Sequence, residues 1–277
     1  MKDFASATLR RLLVSDIPAA VQLSSEAGWN QTADDWHMLI ELSPQSCLAL
    51  ELNGEVVSTA TLLCYGRRLA WIGMVLTKMC CRGRGFARRL LTEALAIADG
   101  MHIETVKLDA TDQGEPLYEK MGFRREQTVE RWVRPAYTAL PKPHSCADAN
   151  LSWSWHASDS AACGVDREEV LMSLARRHPP LSSAHSFLLS RPGRMSRYLG
   201  PCIAETPAIA RTLIENALQT PSPEGWAWDL LPANAAAVAI AHDCSFSPKR
   251  RLVRMVRGQD LRAQESRIYA IAGFELG

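Results

Sequence analysis

The sequence predicts a mixed α/β fold arranged as two consecutive domains. Short apolar and β-branched runs alternate with amphipathic helical segments along the whole chain. An Asn-Gly pair between two apolar runs, at Asn53-Gly54, indicates an antiparallel hairpin. The length of 277 residues suits two domains better than one.

The N-terminal part predicts the element order β-α-α-β-β-β-loop-α-β-α-β. A strand at 9–14 precedes a helix that begins near Ser15, and Thr32 is placed to cap a second helix. The hairpin follows, and an apolar strand at 69–77 then leads into a glycine-rich loop. The remaining predicted elements are helices at 87–99 and 115–121 and strands at 105–110 and 123–133.

The C-terminal part predicts a similar alternation after a stretch at 138–150. This stretch contains two prolines and little apolar pattern, which is typical of a linker. We therefore expect one domain at 1–137 and another at 151–277. The predicted elements of the second domain are helices at 166–177, 206–219 and 234–242 and strands at 186–190, 194–204, 226–231, 252–257 and 268–274.

Composition and charge argue against several classes of protein. A formal net charge of +1 gives no electrostatic reason to expect nucleic-acid or membrane partners. No segment has the length and apolarity of a transmembrane helix, and residues 1–11 lack the apolar core of a secretory signal, so we expect a cytoplasmic protein. The eight cysteines form no Cys-x-x-Cys pair and no histidines have metal spacing, so we expect no metal.

The run Arg82-Gly83-Arg84-Gly85-Phe86-Ala87 has the composition of an anion-binding loop. It lies between a buried strand and a helix, where several backbone N–H groups converge. The two glycines let the backbone approach an anion without a Cβ clash, and the two arginines add positive charge. Taken alone, the run is also compatible with an exposed basic turn or an RNA-binding segment. It lacks the Gly-Lys-Ser/Thr of a Walker loop and the third glycine of a dinucleotide fingerprint.

A second motif, Leu117-Tyr118-Glu119-Lys120-Met121-Gly122-Phe123, comes after the strand at 105–110. Residues 72–123 resemble the GCN5-related N-acetyltransferase (GNAT) superfamily. The resemblance rests on the order of their features, which are a buried strand, a glycine loop, a helix, a second strand and Tyr-x-x-x-Gly-Phe. The resemblance implies a fold of α+β type. It implies tandem GNAT-like domains, each with a mixed, mostly antiparallel sheet flanked by helices. It also implies transfer of an acetyl group from acetyl-CoA to an amine.

The resemblance assigns roles to individual residues. Residues 82–87 match the loop that binds the coenzyme A pyrophosphate, and Tyr118 matches the general acid at the coenzyme A sulfur. The alternative for Tyr118 is a tyrosine packed under a helix. Thr111 matches a further cofactor-binding position. The strand positions that match the pantetheine-binding, carbonyl-polarising segment are Val75, Leu76 and Thr77.

The general base and the acceptor site are less well defined. Asp109, near the end of its strand, is a candidate base. The other candidates are Glu26, Asp34 and Asp35, and each of these carboxylates is also compatible with a solvated surface position. Trp29 and Asn30, between the first two helices, suit a small polar acceptor with an apolar side, although a tryptophan there could simply pin the loop to the core.

The C-terminal part resembles a degenerate second copy. Residues 228–240 resemble the strand and helix that end a GNAT domain and keep an Asn-Ala-Ala-Ala run that begins at Asn234. Ala241 stands at the tyrosine position, Ser245-Phe246 replaces Gly-Phe, and the strand at 198–204 continues into the next helix without a glycine loop. We expect this domain to cover the acceptor site and shape its specificity. We expect the basic residues at 249–257 to form a solvated face.

The favoured function is N-acetylation of a small-molecule amine by direct attack on acetyl-CoA, without a metal. Two alternatives stay open: an acyl-CoA-binding sensor without turnover, and an enzyme that acetylates protein or peptide amines. A covering second domain disfavours the latter, because a bulky acceptor needs an open groove. The expected assembly is a monomer, itself a pseudo-dimer of domains, or a homodimer.

Overall fold

The computed structural model describes residues 7–136, 154–183, 185–261 and 263–277. The chain forms two compact units, one that ends at Leu108 and includes Leu276, and one that begins at Asp109 and includes Gly277. The predicted linker at 138–150 lies outside the described residues, and the domain bounds on either side of it stay a prediction. None of the described helices is long and apolar enough to cross a membrane.

The first unit contains a five-stranded sheet in the order β1-β2-β3-β4-β5. Neighbouring strands are antiparallel except β4 and β5, which are parallel. The strands are β1 Thr8–Arg11, β2 Cys47–Leu52, β3 Glu55–Tyr65, β4 Leu69–Thr77 and β5 Thr105–Ala110, the last of which runs on into the second unit. The helices are α1 Ile17–Glu26, α2 Ala33–Leu42 and α3 Phe86–Gly100.

Local sequence explains why these elements begin and turn where they do. The Thr32 side chain accepts a hydrogen bond from the Asp35 N–H at 3.3 Å, and the Asp35 carboxylate accepts one from the Thr32 N–H at 2.8 Å. This confirms the predicted cap of α2. Asn53 and Gly54 have φ values of 53° and 80°, the left-handed conformation that a two-residue hairpin turn needs.

The second unit contains a six-stranded sheet path in the order β11-β6-β10-β9-β8-β7, with β12 paired to β9. Its strands are β6 Arg124–Arg134, β7 Leu181–Ser183, β8 Ser186–Arg191, β9 Arg197–Ile203, β10 Trp226–Leu230, β11 Ser247–Gly258 and β12 Ile268–Ala270. Its helices are α4 Glu115–Glu119, α5 Ser154–Cys163, α6 Glu168–Arg177, α7 Pro207–Ala217 and α8 Ala235–Asp243. The predicted fold class is confirmed.

Several features of this unit differ from the prediction, and the strand predicted at 268–274 is only the three-residue β12, Ile268–Ala270. Helix α5 and the short strand β7 were not expected, because neither segment has a pronounced apolar period. Strand β11 begins at Ser247 instead of residue 252, since its first residues are polar and mostly exposed but still pair with β6. Strand pairing therefore extends beyond the part of β11 that carries an apolar signal.

We call residues 7–136 the N-terminal half and residues 154–277 the C-terminal half. The halves repeat one local structure at the end of their last helix. The Phe123 N–H donates to the Tyr118 carbonyl at 3.1 Å, and the Phe246 N–H donates to the Ala241 carbonyl at 2.9 Å. The residue before each phenylalanine is left-handed, with φ 88° at Gly122 and 63° at Ser245. The same backbone turn therefore forms in both halves, although Ser245 stands where the N-terminal half has Gly122.

Candidate functional site

Strand β4 separates from β5 partway along its length. The two strands pair at Ala70–Val106 and Trp71–Lys107, and within the described residues their pairing extends no further. Met74 and Val75 form a bulge, since they lie between Gly73 and Leu76 where β3 has a single residue between Thr61 and Thr59. A bulge of this kind bends a strand and increases its twist. The later part of β4 therefore keeps its pairing with β3 and opens a cleft on its other side.

The residues predicted to bind pantetheine, Val75, Leu76 and Thr77, lie on this later part of β4. Leu76 is buried, whereas Val75 and Thr77 are half-buried. The Lys78 N–H donates to the Val57 carbonyl of β3 at 2.8 Å. Because hydrogen-bonding direction alternates along a strand, the N–H group of Thr77, the residue before Lys78, faces the cleft.

Two hydroxyl groups of β3 support the bulge, and neither was predicted from the sequence. Ser58 Oγ donates to the Leu76 carbonyl at 2.6 Å, and Thr59 Oγ1 donates to the Met74 carbonyl at 2.9 Å. Both side chains are fully buried. The available signal was an adjacent Ser-Thr pair inside a mostly apolar strand, because buried hydroxyls require partners.

The glycine loop brings several backbone donors to the start of α3. Gly83 and Gly85 have φ values of 74° and 79°, and a Cβ added at either position would meet no atom within 4 Å. Glycine is therefore needed there for backbone conformation, since there is room for a side chain. The first intrahelical bond runs from the Arg89 N–H to the Gly85 carbonyl at 3.0 Å. The N–H groups of 86–88 precede it and point outward, as an anion-binding helix start requires.

The loop also carries positive charge and an apolar anchor. Arg82 Nε donates to the Thr77 carbonyl at 3.2 Å, and the Arg84 guanidinium lies 5.4 Å from the centre of the Phe86 ring. Phe86 is buried and fixes the first turn of α3, while Ala87 is half-buried. Neither arginine forms an ion pair with any residue that the structure describes. Their charge is therefore available to an anion.

Tyr118 lies on α4 in the second unit and is 8% exposed. Its ring meets the Phe123 ring edge-on at 6.1 Å, and its hydroxyl has no hydrogen-bond partner among the described residues. A Cβ on Gly114 would come within 2.9 Å of the Tyr118 ring, so the glycine permits this close packing. Burial raises the pKa of the Tyr118 hydroxyl to about 12. The group is therefore protonated at neutral pH and can donate a hydrogen bond or a proton.

Thr111 lies between β5 and α4. Its Oγ1 accepts a hydrogen bond from the Gly114 N–H at 3.2 Å, which leaves its own O–H available as a donor. No group of three or more His, Cys, Asp or Glu side chains in the described ranges is arranged to hold a metal ion.

Asp109, the predicted candidate base, forms a buried ion pair. Its two carboxylate oxygens accept hydrogen bonds from Arg254 Nε and Nη2 at 2.9 and 3.1 Å. Burial raises the pKa of the Asp109 carboxyl, and the charge of Arg254 offsets part of that rise. The expectation of a solvated basic face at 249–257 is wrong for Arg254, because Arg254 is itself buried and pairs with the buried side chain of Asp109.

The other candidate carboxylates have different surroundings. Glu26 and Asp34 are exposed, whereas Asp35 is the buried capping residue of α2. Trp29 is half-buried, and its N–H donates to the Ser24 carbonyl at 2.9 Å. Asn30 is buried. The loop that carries the predicted acceptor residues is therefore held against α1 in the first unit.

Comparison with known proteins agrees with these features. A model described as the acetyltransferase (GNAT) family matches residues 12–123, and a model described as an acetyltransferase (GNAT) domain matches residues 156–270. The fold and these matches define the protein as an acyltransferase. The chain belongs to the GNAT superfamily and carries two GNAT domains in tandem.

Individual relatives are similar to most of this chain. The uncharacterized N-acetyltransferase YitH of Bacillus subtilis is 25% identical over 222 residues, which cover 74% of this chain and 76% of YitH. A crystal structure from Pyrococcus horikoshii superposes with a TM-score of 0.86 at 22% identity, over 100% of this chain and 98% of that one. A GCN5-related N-acetyltransferase from Sphaerobacter thermophilus superposes at 0.67 with 15% identity, over 91% and 95% of the chains. These structures share the fold.

Proposed function

We propose that the chain transfers the acetyl group of acetyl-CoA to the amine of a small molecule. The observation that carries this proposal is the open cleft beside β4, which leads directly into a glycine loop with outward N–H groups. An extended arm with amide groups fits the cleft, and a pyrophosphate fits the loop. Acetyl-CoA has both parts in this order.

The proposed contacts with acetyl-CoA depend on the direction in which the backbone N–H groups point. The N–H groups of 86–88, together with Arg82 and Arg84, bind the pyrophosphate oxygens. Thr77 offers its N–H group to the amides of the pantetheine arm, and Val75 and Leu76 line the cleft next to it. Thr111 donates its hydroxyl to the same arm. An N–H of this strand also polarises the thioester carbonyl, which stabilises the negative charge that develops on its oxygen.

The proposed reaction is direct acyl transfer. The neutral amine nitrogen bonds to the thioester carbon, the carbon–sulfur bond breaks, and the sulfur takes the electron pair. Tyr118 donates its proton to this thiolate, a role that its protonated state at neutral pH supports. The amine loses a proton in the same overall reaction, so the products are an acetylated amide and coenzyme A.

Asp109 stays the candidate base for the amine proton. Its raised pKa increases the proton affinity of the carboxylate, which a base requires. Both of its oxygens accept bonds from Arg254, so one of these bonds must lengthen when the proton arrives. Trp29 and Asn30 are the proposed acceptor contacts, with an apolar ring beside a polar amide.

The same Asp109–Arg254 pair favours a second candidate function. A carboxylate with both oxygens engaged is a poor base, as expected for a protein that binds acyl-CoA without turnover. Release of free thiol from acetyl-CoA, measured with polyamines, amino acids, aminoglycosides and peptides, separates the candidates. Rapid release with one class of small amine supports the proposal. Release only with peptides shows a protein or peptide acetyltransferase, and slow release that is independent of the amine shows a sensor.

A further inference from the structure

The C-terminal half contains a cleft built like the one beside β4. Strand β9 pairs in parallel with β10 as far as Leu199–Trp228. Gly200 and Pro201 then form a bulge, since they lie between Leu199 and Cys202 where β8 has a single residue between Ser190 and Leu188. Gly200-Pro201 thus repeats the place of Met74-Val75 in β4. Beyond the bulge, β9 leaves β10 just as β4 leaves β5.

A segment of the same chain lies in this second cleft. We call residues 265–275 the C-terminal segment. On one side, β12 pairs with β9 at Ile268–Ile203 and Ala270–Cys202. On the other side, the Ile271 N–H donates to the Asp229 carbonyl of β10 at 3.0 Å. The segment is therefore hydrogen-bonded to both walls and completes the sheet that the bulge interrupts.

The segment takes the path that a pantetheine arm would take in this half. Cys202 and Ile203 stand after the bulge of β9 as Leu76 and Thr77 stand after the bulge of β4. Asn234 holds the position relative to Phe246 that Thr111 holds relative to Phe123. Asn234 Nδ2 lies 3.2, 3.4 and 3.0 Å from the segment's carbonyl oxygens at Glu265, Ser266 and Ile268.

The bulge of β9 lies in close contact with the backbone of the C-terminal segment. A Cβ on Gly200 would collide with the carbonyl oxygen of Ile271, so glycine is required where the segment crosses the bulge. Tyr269 is buried, and its carbonyl accepts a hydrogen bond from Trp228 Nε1 at 2.8 Å. These contacts leave no room for a second chain.

The end of the segment is fixed by buried charge. Glu275 is 3% exposed, and its carboxylate lies 3.1 Å from Nη2 of Arg191 on β8. The guanidinium of Arg131 lies 4.6 Å from the centre of the Phe274 ring. Breaking a buried ion pair on one side leaves an uncompensated charge, so release of the segment is costly.

We propose that the C-terminal half is a peptide-binding cleft whose ligand is the chain's own C-terminal segment. The segment takes the place that acyl-CoA takes in the N-terminal half, and this part of the inference rests on the proposed function. A chain that closes its second cleft in this way binds one molecule of acetyl-CoA.

Hydrogen exchange on the full chain tests the occupancy of the cleft without any cofactor. Amides of the C-terminal segment are expected to exchange as slowly as those of β9 and β10. Asn234→Asp keeps the oxygen that accepts from the Ala237 N–H but loses the donor to the segment, and should speed exchange of the segment about tenfold. Thr206→Asp is the matched control, because Thr206 caps α7 in the same way and should leave the segment slow. Rapid exchange of the segment in the unaltered chain would overturn the proposal.

Calorimetry tests the expectation that each chain binds one molecule of acetyl-CoA. One equivalent is expected for the unaltered chain, and Gly85→Asp should bind that equivalent about a hundredfold more weakly. A second equivalent in the unaltered chain, or binding that stays equally tight in Gly85→Asp, would show that the second cleft accepts the cofactor. If the unaltered chain binds no acetyl-CoA, the proposed function fails, and hydrogen exchange still decides the occupancy of the second cleft.

Discussion

The clefts beside β4 and β9 share one backbone plan and differ in the element to which each strand leads. Each cleft begins where a parallel pairing ends and a two-residue bulge bends the strand. The cleft beside β4 leads to a glycine loop, whereas β9 leads to α7, which is capped by Thr206 and has proline at its start. A side-chain cap and a proline remove outward N–H donors, so this helix start is a poorer anion site.

The two copies share a fold but differ in the features that the proposed function needs. Both copies keep the splayed strands and the left-handed turn before phenylalanine. The C-terminal copy has Ala241 where the N-terminal copy has Tyr118, and its cleft holds residues 265–275. The proposed function therefore depends on the loop, on Tyr118 and on the open side of β4.

Two buried Arg–Asp pairs, each with its arginine in one half and its aspartate in the other, give the largest expected effect. Arg131 bonds Asp229 at 2.7 and 2.6 Å, as Arg254 bonds Asp109. Arg131 and Arg254 hold the same position relative to Phe123 and Phe246. Asp109→Asn and Asp229→Asn should each lower the free energy of unfolding by about 3–5 kcal/mol, because each leaves a buried arginine without its counter-charge. Urea denaturation measures this loss.

These two variants also separate structure from catalysis. If Asp109 is the base, Asp109→Asn lowers kcat well beyond Asp229→Asn when both are assayed under conditions where they stay folded. Equal kcat values in the two folded variants would assign Asp109 a structural role only.

Replacement of Tyr118, whose counterpart in the C-terminal copy is Ala241, gives the second-largest expected effect, which is on kcat. Tyr118→Phe should lower kcat by roughly a thousandfold, since the leaving thiolate loses its proton donor, while the Kd for acetyl-CoA stays unchanged. Steady-state kinetics and calorimetry measure the two quantities. Tyr65→Phe is the control, because that buried hydroxyl donates to the Leu276 carbonyl and should affect stability rather than kcat. Full activity in Tyr118→Phe would remove Tyr118 from the mechanism.

The glycine loop gives a smaller effect on binding. Gly85→Asp should weaken acetyl-CoA binding by about a hundredfold, because a side chain disfavours φ 79° and a carboxylate repels the pyrophosphate. Gly54→Asp has nearly the same φ in the β2–β3 turn and reproduces the strain without the charge near the loop. Equal weakening by both variants would point to general destabilisation.

The pH dependence of kcat gives the smallest expected effect. The raised pKa of about 12 keeps Tyr118 protonated as pH rises from 7 to 10, so kcat should show no fall in this range from loss of the acid. Above pH 10 the same shift lowers stability, because the unfolded tyrosine releases its proton before the folded one. A fall in kcat centred between pH 8 and 9 that disappears in Tyr118→Phe would contradict this assignment.

Much of the N-terminal half could be predicted from sequence. Leu69–Thr77 and Thr105–Ala110 match their predicted bounds, because apolar runs flanked by turn residues are strong local signals. The glycine loop and Tyr118 were predicted as site residues because their order along the chain is distinctive. The bulge at Met74-Val75 has no comparable signal, since it depends on which β3 residues pair with β4.

Contacts between residues that are far apart in the sequence could not be predicted. Asp109 and Arg254 belong to different halves, and no local pattern joins them. The residues at 268–274 were predicted to form a strand, but nothing in their composition indicates that they fill a cofactor-like cleft. Such contacts depend on tertiary packing, which one sequence does not display.

The proposed function is transfer of an acetyl group from acetyl-CoA bound in the cleft beside β4. The most direct test quantifies acetylated amine and free coenzyme A by mass spectrometry, with the best amine from the thiol-release panel. Direct acyl transfer predicts equal amounts of the two products from the unaltered chain and nearly none from Tyr118→Phe. Coenzyme A released without acetylated amine, or full product from Tyr118→Phe, would contradict it.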